Sequence, residues 1–471
     1  MARWRSDVAW TCHPCRRARP RRRPSGGQSS RSAASRAISI RRPSPTRLHP
    51  FGRLAPGDGR MIDRRAFLNV SAVGALAAAT PAVAAIGKGT PDVVVVGAGA
   101  FGGWAALSLR ERGLKVVSLD AYGPANPRAS SAGETRSIRS GYGSQGFYSA
   151  WAMNALAMWK LREAEFGRTL LYPNDRLELA DRWLPEMVAQ RQIFDDLKLP
   201  YQILTRDQLR GRYPQMAFDD VDFAFVETQA SAAVIKSRES MIVVSEVFQK
   251  KGGQFRTARA VPGPATGRRM DALTLNDGET LAAGQFIFAT GPWASKLFPT
   301  LVAPKVGVWR SEYYYWGPPA GDTRFSWPNQ PAWHDHVAGG YGFGSLERGL
   351  KYSPAAGGRV TQDPDTAERL PTDYLLKRGR DYIGHRFPDM RDAPILETRV
   401  CQVDNTADSH FILDRHPDYD NVWLASGGGG HGFKHGPMVG EYLADRILGR
   451  TADPATEAVF RLASHPDVAK G

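Results

Sequence analysis

Asp92-Val93-Val94-Val95-Val96-Gly97-Ala98-Gly99-Ala100-Phe101-Gly102 is the stretch that decides the fold. A continuous run of β-branched residues reads as a strand buried on both faces, as in a parallel sheet. It runs straight into a Gly-x-Gly-x-x-Gly turn. A helical pattern follows through Trp104, Leu107 and Leu109 to a stop at Gly113, and Lys115-Val116-Val117-Ser118-Leu119 then forms a second strand ending in Asp120. The glycines have separate physical roles. Gly97 permits the tight turn, Gly99 lets backbone approach a pyrophosphate, and Gly102 lets helix and strand pack closely. The helix N-terminus offers free N–H groups and a positive dipole end to phosphates. An acid at position 120 suits a ribose diol and not a 2′-phosphate, so FAD or NAD is expected in preference to NADP.

Downstream, Gly284-Gln285-Phe286-Ile287-Phe288 reads as another strand, and its end, Ala289-Thr290-Gly291, is small enough for backbone to pass close to a bound dinucleotide. The 471 residues allow two or three domains, and 42% hydrophobic residues with 48 glycines fit a globular α/β chain. No run of 18 apolar residues occurs, so no stable membrane span is expected. The net charge of +15 sits at one end: fifteen arginines against Asp7 and Asp58 give residues 1–60 a charge of +13. The remainder is nearly neutral, which removes the electrostatic case for nucleic acid.

Residues 1–60, rich in Arg, Pro and Ser, are expected to be a disordered basic extension outside the working protein, with Met61 as an alternative start. Cys12-His13-Pro14-Cys15 has CxxC spacing but no second pair, so no metal site is expected. Residues 61–84 carry Arg64-Arg65, an apolar run from Val70 to Ala79 and Ala82-Val83-Ala84, the layout of a twin-arginine export signal cleaved near Ala84. The expectation is a periplasmic or exported protein that meets the twin-arginine machinery in transit. Such signals suit a protein that folds around its cofactor before export. Only Cys401 lies in the remaining chain, which excludes a disulfide framework there.

Ser130-Ser131-Ala132-Gly133-Glu134-Thr135-Arg136-Ser137-Ile138-Arg139, then Tyr142-Gly143, Gly349-Leu350-Lys351, Cys401 with His410-Phe411, and Gly430-His431-Gly432-Phe433-Lys434 follow in order. Together with the dinucleotide motif, this set resembles the monomeric sarcosine oxidase and N-methyltryptophan oxidase family, flavoprotein amine oxidases of the D-amino-acid-oxidase superfamily. The resemblance extends from Pro91 to about Gly449. It implies an α/β fold in which a Rossmann-like FAD-binding domain (91–165, 242–300 and 395–450) interleaves with a mixed-sheet substrate domain (166–241 and 301–394) covering the flavin. It also implies a monomer.

The resemblance implies roles residue by residue. Cys401 would carry FAD covalently through sulfur; without that match a lone cysteine is commonly a small buried hydrophobe. Lys351 would activate O2, a fixed ammonium stabilising the developing superoxide anion. Arg139 and Lys434 would grip a substrate carboxylate. Arg136 and Tyr341 would stand beside the flavin and the substrate. The cofactor set comprises Gly97, Ala98, Gly99, Ala100, Phe101, Gly102, Asp120, Ala121, Ser130, Ser131, Thr135, Arg136, Val261, Ala289, Thr290, Gly291, Trp293, Cys401, Gly430, His431, Gly432, Phe433 and Lys434. Ala355, Val403 and Ala132 depart from the family pattern, where His, Tyr and His stand, and imply a less polar, roomier pocket for an N-substituted amino acid larger than sarcosine. His334, His336, His435 and His465 have no assigned role and default to solvated or supporting positions.

The expected reaction is FAD-dependent oxidation of the C–N bond of a secondary amine, giving an imine, then carbonyl and amine, with O2 reduced to H2O2. The alternatives are a flavin amine dehydrogenase passing electrons to a carrier, an NAD-linked dehydrogenase, and a non-catalytic flavin-binding protein.

Overall fold

Four consecutive valines make a strand, Val93–Val96, because both of its faces are covered. Val93 and Val95 pack into one apolar cluster, Val94 and Val96 into another on the opposite side. The alternation inherent in a strand therefore demands an apolar residue at every position, as in parallel sheets generally. The computed structural model describes residues 89–355 and 362–468. The basic extension (1–60) and the export-signal reading (61–84) lie outside these residues.

This strand lies within a six-stranded sheet. From edge to edge it runs Ile412–Arg415, Val422–Ser426, Gln285–Phe288, Val93–Val96, Val116–Asp120 and Gln254–Thr257. All neighbours pair parallel except the first two. The helices Ala100–Glu111, Gly146–Phe166 and Gly436–Ile447 share the cluster on one face. Gly436 and Gly440 bring the last of these so close to Ala100–Glu111 that a Cβ at Gly440 would lie 2.6 Å from the Trp104 carbonyl oxygen.

A second sheet of eight strands runs Ile395–Thr406, Val306–Trp316, Leu350–Ser353, Tyr341–Phe343, Ala332–Asp335, Arg176–Ala180, Phe223–Glu227 and Tyr201–Thr205. It is mixed, with Arg176–Ala180 and Ala332–Asp335 parallel. The sequence reading assigned residues from 395 onward to the dinucleotide-binding part. The structure corrects this boundary: Ile395–Thr406 pairs antiparallel with Val306–Trp316 along nearly its whole length, and the chain rejoins the first sheet only at Ile412. The helix Ser237–Lys250 likewise begins before position 242 and packs with Ala100–Glu111.

Strand parity divides the second sheet. Tyr314, Trp316, Leu350, Tyr352, Trp333, Leu177 and Leu179 share a core with Tyr382 and Ile383 of the helix Asp373–Arg386. Their sequence neighbours Tyr313, Lys351, His334, Arg176 and Glu178 point the other way and line a cavity. Asp335 is buried on the helix side, where Arg386 and the Tyr382 hydroxyl both donate to its Oδ2.

Candidate active site

The cavity measures about 950 Å³, near the upper end of the roughly 300–1,000 Å³ usual for small-molecule sites. One end is built by the Val93–Val96 strand and the turn after it. A Cβ at Gly97 would overlap the Ala289 carbonyl, and one at Gly102 would overlap the Gly97 carbonyl, so the loop closes only with glycine at both positions. Gly97 also adopts φ of 103°, a conformation that favours glycine. Asp120 holds the turn: Ala98 N–H donates to Oδ2 at 2.9 Å and Tyr122 N–H to Oδ1 at 2.8 Å. Ser131 Oγ accepts from Ala100 N–H at 2.9 Å. The Thr290 hydroxyl is buried with no partner among the described residues. A glycine-lined turn, a carboxylate with spare lone pairs and an orphan hydroxyl on one wall fit a dinucleotide.

Of the residues expected to bind the cofactor, Ala98 and Gly102 do not line the cavity; they act through the Asp120 bond and the close packing just described. Gly97, Gly99, Ala100, Phe101, Asp120, Ala121, Ser130, Ser131, Thr135, Arg136, Val261, Ala289, Thr290, Gly291, Trp293, Cys401, Gly430, His431, Gly432, Phe433 and Lys434 all line it, as do Arg139, Tyr341 and Lys351. Asp404, which the sequence reading missed, also lines it. It accepts from Gly427 N–H at 2.8 Å, and burial pushes its carboxyl up to about 6.

Cys401 lines the cavity, with Tyr313 and Tyr315 packed beside it. Its thiol points toward the Ser130 carbonyl at 3.9 Å, and Ser130 Oγ donates to the Gln402 carbonyl at 2.6 Å. Lys351 is fully enclosed. Its Nζ donates to the Thr135 carbonyl at 3.0 Å and lies 4.4 Å from the centroid of the Tyr313 ring. Burial, then the charge of Arg136, holds this amine well below its usual range. Arg136 donates to the carbonyls of Thr135 at 2.8 Å, Ser130 at 2.7 Å and Ala132, so its guanidinium braces the loop where it lines the cavity. The strand Thr135–Ile138 carries it.

The deep end gathers cations. Lys434 Nζ donates to Tyr142 Oη at 2.7 Å, and the Arg139 guanidinium lies 4.5 Å from the centroid of the same ring. Arg139 has no carboxylate partner among the described residues. Burial, then Arg139 and Arg176, holds the Lys434 amine well below its usual range. Tyr142 belongs to the sequence motif but had no role assigned to it; it is the hub here, 2.8 Å from His435 Nε2 and 3.2 Å from His431 Nδ1. Since His431 Nε2 faces the Ser409 carbonyl at 2.9 Å, that nitrogen carries the proton and Nδ1 accepts. Burial pulls His431 down to about 3, so the imidazole is neutral.

None of the four unassigned histidines is exposed, which leaves the supporting alternative. His435 and His465 are buried, the latter beside Asp408 at 3.1 Å, and His334 and His336 line the cavity. Val403 lines the cavity, but Ala132 and Ala355 do not, and the wall near Arg139 is polar, built from Arg176, Glu178, Gln190, His334 and His336. The signal for these was present in Arg176-x-Glu178 and His334-x-His336, each an i, i+2 pair on one face of a strand.

Residues 92–446 match the family described as FAD dependent oxidoreductase, DAO. The chain is 28% identical over 365 residues to monomeric sarcosine oxidase of Streptomyces avermitilis, covering 76% of this chain and 93% of that one. It is 28% identical over 377 residues to N-methyl-L-tryptophan oxidase of Salmonella arizonae, covering 75% and 94%. Fructosamine oxidase from Aspergillus fumigatus shares the fold, with a TM-score of 0.69, 20% identity and coverage of 81% and 91%. A family match spanning most of the chain, on a cavity whose residues fit a dinucleotide, establishes that this protein belongs to the FAD-dependent oxidoreductases of the DAO family.

Proposed function

We propose that this protein oxidises the C–N bond of a secondary amine that carries a carboxylate, an N-substituted amino acid. The observation that carries the reading is the cation pair Arg139 and Lys434, the lysine buried and the arginine half-buried, set on one tyrosine ring and without a carboxylate partner among the described residues. Charging the buried Lys434 amine beside the half-buried Arg139 guanidinium is costly unless an anion joins them. The relatives named for sarcosine and N-methyltryptophan support an amino acid headgroup as that anion.

Bound FAD would supply the two-electron acceptor and hand the electrons on to O2. The balance is a secondary amine plus O2 and water giving a carbonyl compound, a shorter amine and H2O2. The chain's own residues do the rest. Arg139 takes the carboxylate in its fork, and Lys434 Nζ, low in proton affinity while the site is empty, gains a proton as the anion arrives. The same fixed charges disfavour an ammonium beside them, so the amine binds as its neutral, reactive form. Lys351 Nζ, anchored on the Thr135 carbonyl, faces the cavity where negative charge on oxygen would develop. Cys401 supports a covalent link to FAD, being the one thiol of the cavity wall and accessible from it. Arg64-Arg65 with the apolar run and Ala82-Val83-Ala84 support export by the twin-arginine route with FAD already bound.

The test is an anaerobic panel of N-methyl and N-alkyl amino acids followed by flavin absorbance. At least one should bleach the yellow protein, and air should restore the colour with one H2O2 per turnover. A protein that stays bleached in air but reduces a dye is a dehydrogenase, and one that no amine bleaches overturns the reading.

A further inference from the structure

The polar wall next to Arg139 has no part in the reaction just described. Arg176 is closed off: its Nη1 pairs with Glu178 and with Glu227 Oε1 at 2.7 Å, and Glu227 Oε2 accepts from Ser140 N–H at 2.7 Å and Gly141 N–H at 3.1 Å. Glu178 Oε2, in contrast, has only the long approach of His336 Nε2 at 3.4 Å. That nitrogen also faces His334 Nδ1 at 3.2 Å. A carboxylate only accepts, so His336 Nε2 carries hydrogen, and His334 Nδ1 opposite it accepts. A neutral His334 then bears its proton on Nε2, which has no partner among the described residues. Burial and Arg176 pull His334 down to about 3, consistent with that neutral form. Gln190 is 3% exposed, and its Nε2 is buried without a partner while its Oε1 takes Gly143 N–H at 3.4 Å.

We propose that Glu178, Gln190 and His334 form a second recognition patch for the substrate, which takes a neutral amide-like group on an arm extending from the amine or α-carbon. The patch presents two unused donors and one under-used acceptor, which match the carbonyl and N–H of a primary amide. Charge balance selects a neutral group. Arg139, Arg176 and a protonated Lys434 stand against Glu178 and Glu227, with Glu186 lining the cavity but exposed to solvent, and the substrate carboxylate closes the balance of the enclosed charges. A further anion or cation in this desolvated volume would be left uncompensated. An apolar arm would bury the His334 Nε2 donor unsatisfied and leave Gln190 Nε2, already buried without a partner, still unpaired.

This rests on the proposed carboxylate clamp, so the test measures binding rather than turnover. Ether analogues, with oxygen replacing the amine nitrogen, avoid the amine oxidation and can be titrated calorimetrically into the holoenzyme. (2-Carbamoylethoxy)acetate should bind at least tenfold more tightly than its apolar isostere (3-methylbutoxy)acetate, or 4-carbamoyl-2-methoxybutanoate more tightly than 2-methoxy-5-methylhexanoate. Whichever pair shows the preference identifies the arm that reaches the patch. In Gln190→Leu and His334→Phe the ratio should fall to within twofold. Equal affinity within both pairs, tighter binding of the apolar partner, or a preference that survives both substitutions overturns the proposal, even if amine oxidation is found. An amide preference in a protein that oxidises no amine keeps the patch and removes the reaction.

Discussion

At the scale of single residues, burial sets the chemistry. Lys351 and Lys434 are both enclosed, and enclosure lowers the proton affinity of each amine. For Lys434 the sign of the pH effect follows. The empty site favours the neutral amine, and a bound carboxylate favours the ammonium, so binding takes up a proton. Between the two pKa values affinity must fall as pH rises. Calorimetry of a carboxylate ligand in buffers of different ionisation enthalpy should show proton uptake, lost in Lys434→Met. Lys351 should act on oxygen alone: Lys351→Met is expected to slow reoxidation in stopped-flow by about 10²–10³-fold, the usual effect of removing one preorganised donor, with anaerobic reduction far less affected. A similar loss in both half-reactions would assign Lys351 to substrate binding. Cys401 gives a simpler readout. Acid precipitation should leave the yellow colour on the wild-type polypeptide and release it from Cys401→Ser.

At the scale of elements, two kinds of pattern differ in how plainly they can be read. The strand, glycine turn and helix at 92–111 are contiguous, so their spacing alone carries the geometry, and the Ala289-Thr290-Gly291 strand end was readable for the same reason. The Gly102 contact is local enough to test. A methyl there would run into the Gly97 carbonyl, so Gly102→Ala should cost about 1–3 kcal/mol by overpacking and lower FAD retention, checked by denaturant titration and the flavin-to-protein absorbance ratio. The polar wall was not readable this way. Arg176-x-Glu178 and His334-x-His336 lie more than 150 positions apart and meet only because their strands pair in parallel, with Glu178 opposite His334. Arg136 needed the structure for a different reason. Its type fits an anion site, but three backbone carbonyls of its own loop claim the guanidinium. The 395 boundary failed because pairing partners cannot be told from one chain segment.

At the scale of the whole molecule, the cavity is a seam between two sheets that the chain threads repeatedly. It leaves the first sheet after Val116–Asp120, returns at Gln254–Thr257, leaves again after Gln285–Phe288 and returns at Ile412–Arg415. Bonds cross the seam near the first exit and the last return. Lys351 reaches the Thr135 carbonyl, Ser130 the Gln402 carbonyl, Gln402 Nε2 the Arg128 carbonyl at 3.0 Å, and Asp404 the Gly427 amide. Neither layer can therefore open without stripping buried donors from the other, and each such group left unsatisfied costs about 1–3 kcal/mol. Layers joined by one linker would melt separately, whereas layers joined by four crossings and a shared cavity should melt together. Thermal unfolding of the holoprotein followed by far-UV circular dichroism and by flavin fluorescence should give one transition with coincident midpoints. Flavin fluorescence rising in a separate, earlier transition would mean that the seam opens on its own and that the second sheet is a cover, not a structural half of the site.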